Sequence, residues 1–496
     1  MLVVRGGTVV DTTGAFAADV LIDDERIAAV EPNIDPTGHQ VIDAGGALVI
    51  PGAIDAHTHF DLPVGAVRSA DDFESGTVAA ACGGTTCVVD FAGAGREPPN
   101  EALHSWHEKA DGKAAVDYGF HLTVTSVPED AGEAAELFRG FVSEGVTSVK
   151  LYLAYPERLM VDEATLERAM VAAQTAGVLV CVHAEDGLEA VRRTEALLGA
   201  GETGPEALPR ARPPAIEAAA IRTAASLARR ARTPVYVVHL SSAAGLEEIR
   251  AARAAGTLVS AETCPQYLYL TETALHGPPG EAANFVCVPP VRSHADGTAL
   301  WDALGTGEID VVSTDHCPFT TADRRRGIKA EAEAWTSFAE IPGGLPGVET
   351  RLSLVFQGVR DGRLTPGRWV DLVAAAPARL FGLSHRKGAL APDLDADVVV
   401  FDSDATKRLD AGSLHMRTDH SPYADVTVTG WPAVTIARGR VVARGGEPAD
   451  IERGRGRFVA RIPRGSPLNP PQPTARLGPS QEGPLAPGAF PHAEEP

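Results

Sequence analysis

The chain has 496 residues, 44% of them hydrophobic and 22% charged, and its 66 acidic against 44 basic side chains give a formal charge of −22. A surface this acidic repels phosphate backbones and anionic bilayers, so neither nucleic acid nor a membrane surface is expected as a partner. No run approaches the roughly 18 consecutive apolar residues of a membrane span, and the opening MLVVRGGTVVDTTG lacks the basic end, apolar core and cleavage site of a signal peptide; a cytoplasmic protein is expected.

Residues 1–52 read as short strands separated by Gly and Asp turns, in LVVRGGTVV, ADVLIDDERIAAV and QVIDAGGALVIPG. The same texture returns in DADVVVFD and ADVTVTGWPAVTIARGRVVARGG, which predicts one small β-sandwich domain built from residues 1–52 and 385–462. Between them, residues 53–384 alternate apolar strands with helical stretches such as DDFESGTVAAAC, DEATLERAMVAAQTAG and AIEAAAIRTAASLARRA. The strands are ALVIPGAIDAH, TTCVVDF, YGFHLTVT, SVKLYL, VLVCVHA, PVYVVHLS, TLVSAET and IDVVSTDH. Eight such βα units predict an α/β fold, a (β/α)8 TIM-like barrel. A doubly wound open sheet is the rival, but no strand-GxGxxG-helix fingerprint supports it. Residues 463–496 are Pro-rich without apolar periodicity, and are expected to be a disordered tail. The six cysteines are scattered with no CxxC pair, as expected of buried free thiols in a reducing compartment.

Chemistry emerges at the C-terminal strand ends. The first strand ends in His57-Thr58-His59, the fourth carries Lys150, the fifth ends at His183, the sixth at His239 and the eighth at Asp315. In a barrel these positions open on one rim, where active sites of this fold are built. Alone, a histidine ending an apolar strand reads as a satisfied core residue, and Asp315 as a cap. Their convergence is what argues for a metal centre. His121, in the third strand, belongs to no such set and reads as structural; His316 stands beside the aspartate, where a supporting role and a bystander's are equally open.

Lys150 interrupts GVTSVKLYLAYP, which otherwise reads as a buried strand. Lysine is rarely buried without a partner. A neutral amine in a dry site can add carbon dioxide and become a carbamate, whose two oxygens can bridge two divalent cations about 3.5–4 Å apart. Two dications bring four positive charges, of which Asp315, the carbamate and a bridging hydroxide offset three. The surplus would polarise a substrate. The bland alternative is an ammonium snorkelling to the rim.

With these residues placed, the chain resembles the amidohydrolase superfamily, specifically the dihydropyrimidinase and D-hydantoinase family. The likeness runs to about residue 462 through HTHFDLP, SADDFESGTVAAACGGTT, WHEKADGKAAVDYGFH, SVKLYLAY, VHAEDG, VHLSS, AETCPQYL, STDHCPF and KGALAPDLDADVVVFD. The resemblance implies a cytoplasmic, zinc-dependent hydrolase, a homo-tetramer or homo-dimer, that opens the ring amide of dihydrouracil, dihydrothymine or 5-substituted hydantoins with a metal-bridging hydroxide. It implies that His57, His59, carboxylated Lys150 and Asp315 hold the more buried metal, and Lys150, His183 and His239 the more exposed one. Asp315 would shuttle the proton and Tyr155 would donate to the oxyanion. Relatives commonly have serine and asparagine where this chain has Val288, in VCVPPVR, and Gly343, in IPGGLPG; the grip there is largely through main-chain groups, so Val288 and Gly343 remain substrate-binding candidates while the particular substrate is left open. A dihydroorotase would want an arginine after His-x-His, where Phe60 and Asp61 stand. An allantoinase-like hydrolase is closer, although serine is frequent there at the place of Cys317. A scaffold like the collapsin response mediator proteins would lack metal ligands that this chain keeps.

Overall fold

The apolar runs of the middle region pair side by side in chain order. In the computed structural model, which describes residues 1–156, 158–278, 280–325, 328–329, 334–449 and 453–466, one parallel sheet contains β1 (Ala53–Thr58), β2 (Thr85–Ala92), β3 (Asp117–Thr123), β4 (Ser148–Tyr152), β5 (Leu179–His183), β6 (Val235–Val237), β7 (Val259–Thr263) and β8 (Val311–Val312). A bridge between Thr58 and His316, with His59 N–H donating to the His316 carbonyl at 2.9 Å, returns the last strand to the first. The expected eight-stranded barrel is therefore present. Its strands lack polar alternation because helices cover the outer face and side chains fill the inner one. Among those helices, α1 (Phe73–Cys82) starts in a capping box of Asp72 and Ser75, α2 (Glu163–Ala176) is capped by Asp162, and α3 (Pro214–Ala231) takes proline at its first position.

Strands from both ends of the chain make two further sheets. A four-stranded sheet holds Leu2–Arg5, Asp19–Asp23, Arg26–Glu31 and Gln40–Asp43; a seven-stranded one joins Thr8–Asp11, Gly14–Ala17 and Leu48–Pro51 to Val398–Arg408, Thr427–Ala437, Arg440–Arg444 and Glu447–Pro448. Val4, Val20, Val49, Val398 and Ile436, drawn from both sheets, share one apolar cluster separate from the barrel's. The run ALVIPGAIDAH is not one strand but two. It divides at Gly52, where an added Cβ would lie 2.1 Å from the Thr86 hydroxyl, so the chain can pass from sheet to barrel only without a side chain. Lys387 ties the two parts together: its ammonium, 1% exposed, meets Asp117 of β3 at 2.9 Å, Asp395 at 3.0 Å and Asp397 at 2.7 Å.

Past the last sheet strand, residues 457–462 run beneath the barrel. Tyr118 N–H donates to the Arg457 carbonyl, Val459 N–H to that of Tyr118, Arg461 N–H to that of Gly145 and Ile462 N–H to that of Gly382. The buried Arg461 guanidinium donates to the Ser148 hydroxyl at 2.7 Å, which also bonds Nδ1 of His121 at 2.6 Å. The other nitrogen of His121 bonds the Ala56 carbonyl at 3.0 Å and its ring stacks on Phe91, deep inside the barrel. All six cysteines are free and buried. Of the stretch expected to be disordered, residues 467–496 lie outside the described residues.

Candidate active site

Alternation along β1 points His57 to the barrel interior, and the chain leaving β1 turns His59 onto the same side. Nε2 of His57 and Nε2 of His59 are 3.2 Å apart, and each lies within 3.2 Å of Oδ1 of Asp315, at 3.1 and 3.2 Å. Nζ of Lys150, from the middle of β4, is 3.0 Å from Nε2 of His57. On the far side, Nε2 of His239 is 2.9 Å from Nδ1 of His183. Tyr155 follows β4, its ring centroid 5.2 Å from that of His183. The structure thus brings together His57, His59, Lys150, His183, His239 and Asp315, with Tyr155 beside them. His239, Asp315 and Tyr155 all hold left-handed backbone, φ 38°, 54° and 63°. Side-chain-bearing residues avoid that region at a cost of about 1–2 kcal/mol, and such strain gathers where geometry serves function.

Two carboxylates absent from the sequence reading orient the imidazoles. Glu262, at the end of β7, contacts Nδ1 of His57 and accepts from the Tyr236 hydroxyl at 3.0 Å and the His239 N–H at 3.2 Å. Glu185 meets Nε2 of His183 at 2.9 Å and the Arg212 guanidinium at 2.6 Å. A carboxylate on one ring nitrogen holds the proton there and leaves the other as a bare lone pair. Nε2 of His57 and Nδ1 of His183 are left as lone pairs in this way, each aimed at the other imidazoles of the cluster, where a cation can take them up. The donor atoms of His57, His59 and Asp315 all lie within 4.8 Å of one another, as one ion requires. These residues fit a metal pair.

The charges agree with that fit. Burial holds the His59 imidazole down to about 4 and lowers those of His183 and His239, so all three stay neutral. For His57, burial and the Lys150 charge oppose protonation, but Glu262 and Asp315 outweigh them and its value is raised. Burial also lowers Lys150, against the pull of Asp315 and Glu262. Lys150 is 1% exposed and has no ion-pair partner among the described residues. The expected burial of this lysine is what the structure shows; snorkelling to the rim is not.

Above the cluster lies a cavity of about 530 Å³ that His59, Lys150, His183, His239 and Asp315 floor. Leu62, Val64, Leu159, Phe338 and Ile341 give it apolar walls. Tyr155, Val288 and Gly343 line it as well. His316 does not reach the cluster: its Nε2 pairs with Asp71 at 3.1 Å, and its Nδ1 accepts from the N–H groups of Gly347 and Val348.

Residues 48–442 match the model of the Amidohydrolase family. The chain is 40% identical over 469 residues to the D-hydantoinase of Geobacillus stearothermophilus, covering 93% of this chain and 97% of that one. The chain belongs to the amidohydrolase family. It is also 41% identical over 447 residues to a D-hydantoinase of Streptomyces coelicolor, covering 89% and 94% of the two chains. The crystal structure of dihydropyrimidinase from Brevibacillus agri superposes with a TM-score of 0.89 at 38% identity, over 94% of this chain and 99% of that one. Within the family, this amidohydrolase is a cyclic amidase of the hydantoinase and dihydropyrimidinase type. Val288 and Gly343 are neighbours on the cavity wall: a Cβ on Gly343 would stand 3.2 Å from Cγ2 of Val288.

Proposed function

We propose that the protein hydrolyses the ring amide of 5-substituted hydantoins or dihydropyrimidines with a pair of zinc ions bridged by N6-carboxylated Lys150. What carries the reading is the buried Lys150 amine, 3.0 Å from His57 and without an ion-pair partner among the described residues, on the same cavity as His59, His183 and His239. Addition of carbon dioxide to the neutral amine, with loss of one proton, turns a charge that would repel cations into a ligand with two oxygens. His57, His59 and Asp315 then complete the inner site, and His183 and His239 the outer one. Bound there, the two ions supply an ionised water at neutral pH and a Lewis acid for the scissile carbonyl.

The chain's own residues do the rest. Main-chain groups at Val288 and Gly343 hold the ring amide, and the apolar walls at Leu62, Leu159 and Phe338 receive the substituent and exclude water. Asp315 takes the proton of the attacking water as the new C–O bond forms, and returns it to the ring nitrogen as the C–N bond breaks, leaving an open-chain carbamoyl acid. Tyr155 donates its hydroxyl hydrogen to the oxyanion of the tetrahedral state. The family resemblance carries the remaining parts of the reading, a cytoplasmic homo-tetramer or homo-dimer.

A substrate panel of dihydrouracil, dihydrothymine, hydantoin, phenylhydantoin, allantoin and dihydroorotate, with metal content measured on the same preparation, tests the reading. Turnover of hydantoins or dihydropyrimidines by protein carrying two metals per chain is expected. Allantoin or dihydroorotate as the best substrate would move it to another activity. Protein that binds no metal would be a scaffold.

A further inference from the structure

Arg324 is fully buried and has no carboxylate in contact among the described residues. Its guanidinium is spent on main-chain carbonyls instead. Nη1 donates to those of Ala283 at 2.9 Å, Val286 at 3.1 Å and Pro342 at 3.2 Å, and Nη2 to that of Gly344. The acceptors lie on two segments far apart in sequence, and both segments line the catalytic cavity, at Val286 and Val288 and at Pro342, Gly343 and Gly344. They are joined directly as well, by Gly344 N–H to the Val286 carbonyl at 3.0 Å. The second segment is registered on the barrel rim by a bridge between His316 and Leu345 and by Cys317 N–H donating to the Leu345 carbonyl at 3.1 Å, next to Asp315.

We propose that Arg324 is a positioning residue that sets the substrate-gripping main chain of both segments against the metal cluster. The proposal rests on the reading that main-chain groups at Val288 and Gly343 hold the ring amide. Burying a cation without a counter-ion is costly, and several charge-assisted bonds to carbonyl dipoles are what offset it here. A planar fork can reach carbonyls on two segments at once; a lysine, with one nitrogen, cannot span them. Val288 and Gly343 offer no polar side chain to the ring, which leaves the geometry of the grip to the backbone and so to whatever fixes that backbone.

The test uses the full-length, metal-loaded chain and its Arg324→Lys and Arg324→Gln variants. The expected result is a KM for hydantoin raised about tenfold or more, with kcat within about threefold of the parent and the bound metal unchanged. Hydrogen exchange at 283–288 and 342–345 should speed up while that of β1 and β4 does not. A folded variant with parental KM and parental exchange overturns the proposal. So does failure of both variants to fold, or loss of metal together with kcat, since either makes Arg324 a general stability element. A parent inactive on every cyclic ureide would instead sink the functional reading, and the exchange comparison would then decide the clamp alone.

Discussion

Glu185 stands 2.9 Å from Nε2 of His183, and this contact is what turns the ring's Nδ1 toward His239. Burial would raise the carboxyl, yet Arg212 and His183 bring it down to about 2, so it stays ionised throughout the neutral range. Loss of such an orienting carboxylate lowers metal affinity by about 10–100-fold. In Glu185→Ala, metal content after dialysis against a weak chelator should fall from two ions per chain toward one, the outer ion leaving first. Two ions retained at parental affinity would remove Glu185 from the metal centre.

Tyr155 sits beside His183 in strained backbone and lines the cavity, and the proposed mechanism has its hydroxyl donate to the oxyanion. Tyr155→Phe should lower kcat by about 10² with a smaller effect on KM, as expected for a donor used mainly in the transition state. Steady-state kinetics on hydantoin give the answer, and a loss under about threefold would exclude the hydroxyl from the mechanism.

Lys387 neutralises part of a cluster of three buried carboxylates at the junction of β3 and the terminal sheet. Lys387→Met should cost about 3–5 kcal/mol, because removal of one partner leaves uncompensated buried charge. Urea unfolding measures it. The candidate metal site lies at the other end of the strands, so kcat per folded molecule should not change.

His415 bridges Glu349, at 2.9 Å, and Glu447, at 3.1 Å, near the buried thiol of Cys82. The bond to Glu349 outweighs burial and raises the imidazole above its ordinary value. A raised value in the folded state means stability that is complete below the unfolded value of about 6.5 and is lost as pH climbs through the folded one. The difference in Tm between the parent and His415→Gln should therefore be widest below about pH 6.5 and shrink as pH rises above it. A gap that widens on the alkaline side would contradict the imidazolium.

The barrel was legible because parallel strands covered on both faces are near-continuous apolar runs, as SVKLYL and VLVCVHA are apart from the residues that point at the site. The same continuity hid the division at Gly52, since sheet and barrel strands abut there with no polar residue between them. The sequence places the end of the eighth strand at Asp315, whereas it ends at Val312, because the backbone must leave extended geometry to set Asp315 at φ 54°. His57, His59, Lys150, His183, His239 and Asp315 could be picked out by type and by place at strand ends. Glu262 and Glu185 could not, although AETCPQYL and VHAEDG contain them: a carboxylate declares its role only through the ring it faces. Arg324 is hidden more thoroughly, within TTADRRRG, a run that reads as solvated charge although this guanidinium sees no water.

The segment beneath the barrel ties early strands to late residues. β3 and β4 are completed from below by Phe458 and Arg461, residues a ribosome adds more than three hundred positions after those strands. Without that segment Ser148 keeps only His121, and the Phe120 carbonyl loses the Arg461 guanidinium. The floor of the barrel is thus a long-range product, closed by residues remote in sequence from the strands they seal.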